Sequence, residues 1–215
     1  LTKPTTTKPS TKPKGTSLAA SSDEWNTPSE ILEPCERLAG SAGIGLDPCA
    51  NARSKIGRVR FTVADNGLAQ PWTGLGLVFV NPPYSRGQID QWAAKVVLEA
   101  AAGAEIVMIT NNKTETAWFA TLRAAAAAIV FPAGRIAFLD LDGRRAGAGW
   151  NGQAVFYCGP RVEDFLREFS PLGWAVHRRL SWAWDAPDNT TQAIARVGGL
   201  RDRVRRPEPA TLGRK

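Results

Sequence analysis

A chain of 215 residues has room for one domain of ordinary size plus tails, and a hydrophobic fraction of 43% is enough for a core, which excludes wholesale disorder. No run approaches the roughly 18 apolar residues that a membrane span needs, and the first residues lack the apolar segment of a secretion signal. Three cysteines without C-x-x-C spacing and a lone histidine, His177, argue against a disulfide framework, a zinc or other metal site and a Ser-His-Asp hydrolase, and for an intracellular protein.

The net charge of +7 belongs to the two ends. Residues 1–22 carry four lysines and no acid, residues 196–215 carry a net +5, and the stretch between them is net −2. Basic arms of this kind hold a protein near polyphosphate by a salt-sensitive, sequence-blind attraction, and they serve equally as solubilising tails. Residues 1–22, rich in Thr, Lys, Pro and Ser, are expected to be a disordered tail, residues 23–185 one folded unit and residues 186–215 a second basic tail.

In chain order, Thr27-Pro28-Ser29-Glu30 opens a short helix with a proline start. Gly43 to Leu46 and Val59 to Val63 are strand candidates, and Leu75 to Val80 is a continuous apolar run of buried-strand type. Ile89, Trp92, Ala93, Val96, Val97 and Ala100 follow helical spacing up to Gly103. Glu105–Thr110 is a buried strand, Thr116–Ala126 a helix, and Ala128–Phe131, Arg135–Leu139 and Ala154–Tyr157 are further strands. Arg161–Phe169 is a helix and Trp174–Leu180 a last strand. This alternation predicts an α/β fold with a mainly parallel sheet, covered on both faces, and an antiparallel edge after residue 128. Ligands of such sheets lie outside the carboxyl ends of the strands.

The sharpest signal is LVFV-NPPY-SRG over residues 77–87, an apolar strand that delivers Asn81-Pro82-Pro83-Tyr84 onto a loop. The two prolines fix φ and offer carbonyls without amide hydrogens, Asn81 adds a side-chain carbonyl, and Tyr84 adds an aromatic face. Such a ledge can hold a planar ring bearing an exocyclic amine, with the amine hydrogens on Asn81 and the Pro82 carbonyl. Two acceptors favour a pyramidal nitrogen and return density to an otherwise poor nucleophile, so catalysis rests on positioning rather than on a strong base.

NPPY is similar to the amino-methyltransferase motif of S-adenosyl-L-methionine-dependent enzymes. EWNTPSEI (24–31), LDPCA (46–50), DNGLAQPW (65–72), LVFVNPPYSR (77–86), the TxTxWF element at 114–119 and FPAGRIAFL (131–139) follow the order seen in phage-type DNA N6-adenine methyltransferases, a likeness covering roughly residues 23–160. The resemblance implies a reduced, Rossmann-like class I methyltransferase fold acting on double-stranded DNA in a bacterial or phage-infected cytoplasm. It assigns Asn81, Pro82, Pro83 and Tyr84 to catalysis. Trp25, Thr27, Pro28, Asp47, Pro48, Cys49, Ala50 and Asn81 would bind the cofactor, with Asp47 on its ammonium group and Thr27-Pro28 against its carboxylate. Asp65 would meet either the ribose hydroxyls or the adenine amine.

The chain departs from the pattern at Asn111-Asn112-Lys113, where such enzymes more often carry Pro-Ala-Arg, and only about one strand fits between Ala50 and Leu75. Recognition of DNA falls to residues 135–152, to 178–184 or to the tails, with Arg86, Lys113, Arg135, Arg144 and Arg145 as candidate contacts. Arg144 and Arg145 sit in a Gly-rich loop that suits phosphate contact and equally suits an ordinary hairpin with solvated arginines. Competing readings are amine methylation of cytosine in DNA or of glutamine in protein, and a degenerate methyltransferase fold kept as a DNA-binding accessory. Fold alone does not separate them.

Overall fold

The computed structural model describes residues 25–84, 87–145 and 151–178, so the expected boundaries at 22/23 and 185/186 lie outside the described residues. Among these residues, seven strands form one sheet: β1 (Leu46–Asp47), β2 (Val59–Arg60), β3 (Val78–Val80), β4 (Ile106–Asn111), β5 (Ala128–Pro132), β6 (Gln153–Cys158) and β7 (Gly173–His177), in the order β2-β1-β3-β4-β6-β5-β7. The pairings β2·β1, β1·β3 and β3·β4 are parallel, and β4·β6, β6·β5 and β5·β7 are antiparallel. The antiparallel part is therefore broader than the expected edge, because β6 inserts between β4 and β5.

Among the described residues, four α-helices cover the sheet: α1 (Ser29–Ala39), α2 (Gln88–Ala101), α3 (Ala117–Ala125) and α4 (Val162–Phe169). Side chains alternate along each strand and so feed two cores. Ile106 and Met108 of β4 join Ala154 and Phe156 of β6 in the core under α2 and α3. Val107, Ile109, Val155 and Tyr157 point the other way, into the core under α1 and α4. Helix α1 starts at Ser29 behind Pro28, whose φ of −75° suits a helix entrance, and it buries Ile31, Cys35 and Leu38 at i, i+4 and i+7. Thr116 caps α3 by accepting from the Phe119 N–H.

Three expectations change. The strand expected over Val59–Val63 is only Val59–Arg60; the chain leaves the sheet edge there, and Val63 ends 94% exposed. Likewise β1 is two residues long; Gly45 just before it still donates to the Leu77 carbonyl and accepts from the Val59 N–H, and the Leu75 carbonyl would collide with any Cβ at position 45. Arg135–Leu139 is not a strand. Ile136 is buried and its N–H donates to Gln153 Oε1, while Leu139 bridges Asn26 and Arg145. The last expected strand is β7, and its residues 179–180 lie outside the described residues. Among the described residues no helix is long and apolar enough to cross a membrane, and no group of three or more His, Cys, Asp or Glu could hold a metal ion.

Candidate active site

From β1 the chain moves outward to β2 and then crosses to β3 on the other side, so strand order reverses between β1 and β3. The crevice outside the carboxyl ends of strands at such a point is the usual ligand position. A cavity of about 530 Å³ lies there. Its walls are Pro48–Asn51 after β1, Thr62, Val63, Asn66, Gly67 and Leu68 from a hook after β2 (residues 62–68), Asn81 and Pro83 after β3, and Gln88, Gln91 and Trp92 of α2, with Trp25 beside them. A smaller cavity of about 20 Å³ shares Trp25, Cys49, Asn51 and Asn81 with it and adds Thr27, Asp47 and Ser54.

The hook is fixed by packing. Gly67 presses against the Pro48 carbonyl so closely that any Cβ would collide with it. The indole N–H of Trp72, a fully buried side chain, donates to the Gly67 carbonyl at 2.9 Å, and its ring stacks on Trp92 at 6.1 Å. These contacts set the hook and the start of α2 on two sides of one cavity.

Asn81 leaves β3 with its side chain oriented from the N-terminal segment. Its Nδ2 donates to Thr27 Oγ1 at 3.1 Å and to the Trp25 carbonyl at 3.4 Å. A backbone carbonyl can only accept, so the amide nitrogen must face it and Oδ1 must face away. The neighbouring residue Asn26 ties this segment to the rest of the site. It accepts from Asn51 Nδ2 at 2.8 Å, donates to the Asp140 carbonyl at 3.0 Å, and pairs by backbone with Leu139. Asn26 and Asn51 thus join the loop after β1, the segment that holds Asn81, and residues 139–140. No sequence signal singled them out.

Asp47 is the buried side chain here that can carry charge, at 5% exposure. Its Oδ1 accepts from the Cys49 N–H at 3.2 Å and its Oδ2 from the Ser54 hydroxyl at 2.9 Å. Loss of solvent outweighs both hydrogen bonds and nearby Arg60, and pushes the carboxyl up to about 6. Burial and the Asp47 charge raise the Cys49 thiol well above its ordinary range, which keeps it a neutral wall and not a nucleophile.

Tyr84 is half-buried. Its hydroxyl donates to the Ile109 carbonyl at 3.1 Å, with Asn81 Oδ1 a longer second acceptor at 3.4 Å, and burial drives the phenol further above its already high pKa. A neutral phenol anchored in this way offers a ring face, not a base. Pro82 is buried, Pro83 lines the large cavity, and Pro28 serves as the cap of α1.

The other candidates are distributed differently. Asp65 directs Oδ2 to both the backbone N–H and the hydroxyl of Thr62, each at 2.8 Å, and these bonds hold its carboxyl below its ordinary value. Thr62-Val63-Ala64-Asp65 is a T-x-x-D capping pattern, a signal that foretells this local task. Lys113 stands beyond β4, at the same end of the sheet as Asn81. Arg145 pairs with Glu30 at 2.6 Å, and Arg144 lies 3.5 Å from Asp142, which also binds Arg53 at 2.9 Å. Arg135 is exposed in the segment after β5, and Arg86 lies outside the described residues.

Residues 14–164 match the family model described as DNA N-6-adenine-methyltransferase (Dam). The chain belongs to this family. A DNA N-6-adenine-methyltransferase of Escherichia phage T1 is 28% identical over 160 residues, a match that spans 67% of this chain and 66% of the phage protein. The Dam-family match takes in β1 to β4, the Asn81–Tyr84 loop and residues 135–145, so the geometry described above falls within the shared region.

Proposed function

We propose that the chain is an S-adenosyl-L-methionine-dependent methyltransferase that modifies N6 of adenine in DNA, with the base turned out of the duplex onto the Asn81–Tyr84 loop. The observation that carries this reading is the fixed amide of Asn81. Trp25 and Thr27 hold its nitrogen, which leaves Oδ1 as an acceptor at the carboxyl end of β3 beside the cavity. The strand order supports a reduced class I methyltransferase sheet, with a single short strand, β2, outside β1.

The residues present fit the cofactor. A buried carboxylate that accepts from Cys49 and Ser54 has lone pairs to spare, and burial raises its pKa despite those bonds and nearby Arg60. An ammonium group beside Asp47 would supply one, and the roomy, neutral cavity next to it suits a nucleoside. When bound, the cofactor supplies a methyl group carried on a sulfonium. The protein's part is to position the acceptor amine. Asn81 Oδ1 and the Pro82 carbonyl accept hydrogen bonds from its two N–H groups, which favours a pyramidal nitrogen with its lone pair available, and the methylated amine then loses its surplus proton to water. Tyr84 presents its ring to the base, and its bond to Ile109 sets that ring against β4.

Stacking on an aromatic side chain is worth about 1–3 kcal/mol per base. Tyr84→Ala should therefore lower kcat/KM roughly ten- to a hundredfold, and Tyr84→Phe, which keeps the ring, should retain most activity. Steady-state kinetics on an oligonucleotide duplex measures both. A Phe variant as inactive as the Ala variant would assign the hydroxyl a chemical task and end the stacking account.

Residues 1–22 and 196–215 together hold 11 basic and 2 acidic residues. Their removal should leave a shallower slope of log K against log salt for DNA binding, because fewer phosphate counterions are released. Equal slopes for the full chain and for residues 23–195 would make the tails bystanders. The reading as a whole is tested by offering methyl-labelled S-adenosylmethionine with unmodified DNA, RNA and a protein mixture. Label should enter DNA, and label confined to protein would overturn the reading.

A further inference from the structure

We propose that the nucleoside half of the cofactor is read by two neutral amides, Asn66 and Gln91, and not by a carboxylate. This rests on the S-adenosylmethionine reading above and names residues within that site. Among the described residues, the walls of the 530 Å³ cavity contain no Asp, Glu, Lys, Arg or His. Asp65, the acid expected there, has turned its carboxylate onto Thr62. Of the polar side chains that line the cavity, Asn51 is committed to Asn26, Thr62 to Asp65, and the Asn81 amide nitrogen to Trp25 and Thr27, its Oδ1 being assigned to the acceptor amine. Asn66, Gln88 and Gln91 remain, and none of their side-chain amides is hydrogen-bonded to a described residue.

Two further features distinguish the hook. Asn66 has φ of 51°, the sole positive φ of a non-glycine residue among those described, and Asn is one of the few residues that adopts it readily. Beside it, Val63 is 94% exposed yet lines the cavity, as do Leu68 and the buried Trp92. An apolar side chain left open at a cavity wall is suited to cover the flat face of a ring. A purine has such a face and an edge that alternates donor and acceptor. An amide presents C=O and NH2 side by side and pairs with the amine and neighbouring ring nitrogen of adenine, whereas a carboxylate only accepts. Asn66 comes from the hook and Gln91 from α2, so the edge of one ring can meet both.

Calorimetry on the full chain tests this with S-adenosylhomocysteine and with adenosine alone. Gln91→Ala sits on an exposed helix position, and Asn66→Gly keeps the backbone able to adopt positive φ, so both variants should fold; their melting temperatures check it. Each should lose roughly five- to tenfold in affinity for both ligands, the size of one neutral hydrogen bond, while Asp65→Asn changes either by less than twofold. Amide variants that bind like wild type, or an Asp65→Asn loss as large as theirs, would overturn the assignment. A wild-type chain that binds neither ligand would overturn the cofactor reading beneath it, a result distinct from either of those.

Discussion

Asn81→Ala is expected to lower the rate of methyl transfer at least a hundred- to a thousandfold while cofactor affinity stays within a few-fold. Removing one preorganised hydrogen-bonding group aimed at a reacting centre has an effect of that order, about 3–4 kcal/mol in the barrier. The defect belongs to the chemical step because Oδ1 is directed by Trp25 and Thr27 away from the N-terminal segment, toward the position proposed for the acceptor amine. Asn81→Asp sharpens the point. It keeps an acceptor but loses both donors, and its second oxygen would face the Trp25 carbonyl, so it should fall between wild type and Ala. Single-turnover methylation of duplex DNA, with calorimetry for the cofactor, separates the two effects. A near wild-type rate for Asn81→Ala would remove the loop from catalysis.

Asp47→Asn should move stability and binding in opposite directions. With a folded pKa of about 6, above the ordinary value near 4, the native state takes up the proton first. The ionised carboxylate therefore costs stability above about pH 6, and that cost fades as pH falls through 6 toward about 4. An amide at this position carries no charge, can still accept from Cys49 and can donate to Ser54, so the ligand-free variant should melt higher than wild type at pH 7 to 8. Binding runs the other way. An ammonium group pairs with the ionised form, so wild-type affinity for S-adenosylmethionine should be full above about pH 6 and weaken below it. The Asn variant should lose about 1–3 kcal/mol, roughly five- to a hundred-and-fifty-fold, and show no such pH dependence. Unchanged affinity in Asp47→Asn would remove Asp47 from the site.

Much of the site was legible because its signals are local. An apolar strand followed by Asn-Pro-Pro-Tyr announces a rigid loop at a strand end, and Asp47 follows the first strand by the same logic. Buried β4 and β6 were plain from continuous apolar runs, and their alternation between two cores was not, since every position in β6 is buried. An acid after a second strand suits contact with the ribose or the adenine of a cofactor, and the T-x-x-D pattern adds a third, local task, which Asp65 performs by accepting from Thr62. The alternation in Val59–Val63 and Arg135–Leu139 suggested strands, yet neither stretch has a neighbouring strand along its full length. Asn26 could not have been found from sequence. Its partners lie 25 and 114 residues away, and an Asn ahead of Thr-Pro reads as an ordinary turn residue.

The central claim is that the amine received by Asn81 is N6 of adenine in DNA. Its most direct test is mass-spectrometric analysis of nucleosides from unmodified duplex DNA incubated with the full chain and S-adenosylmethionine. N6-methyladenine should accumulate with wild type and be absent with Asn81→Ala; N4-methylcytosine instead, or no methylated nucleoside from a chain that binds the cofactor, would contradict the account.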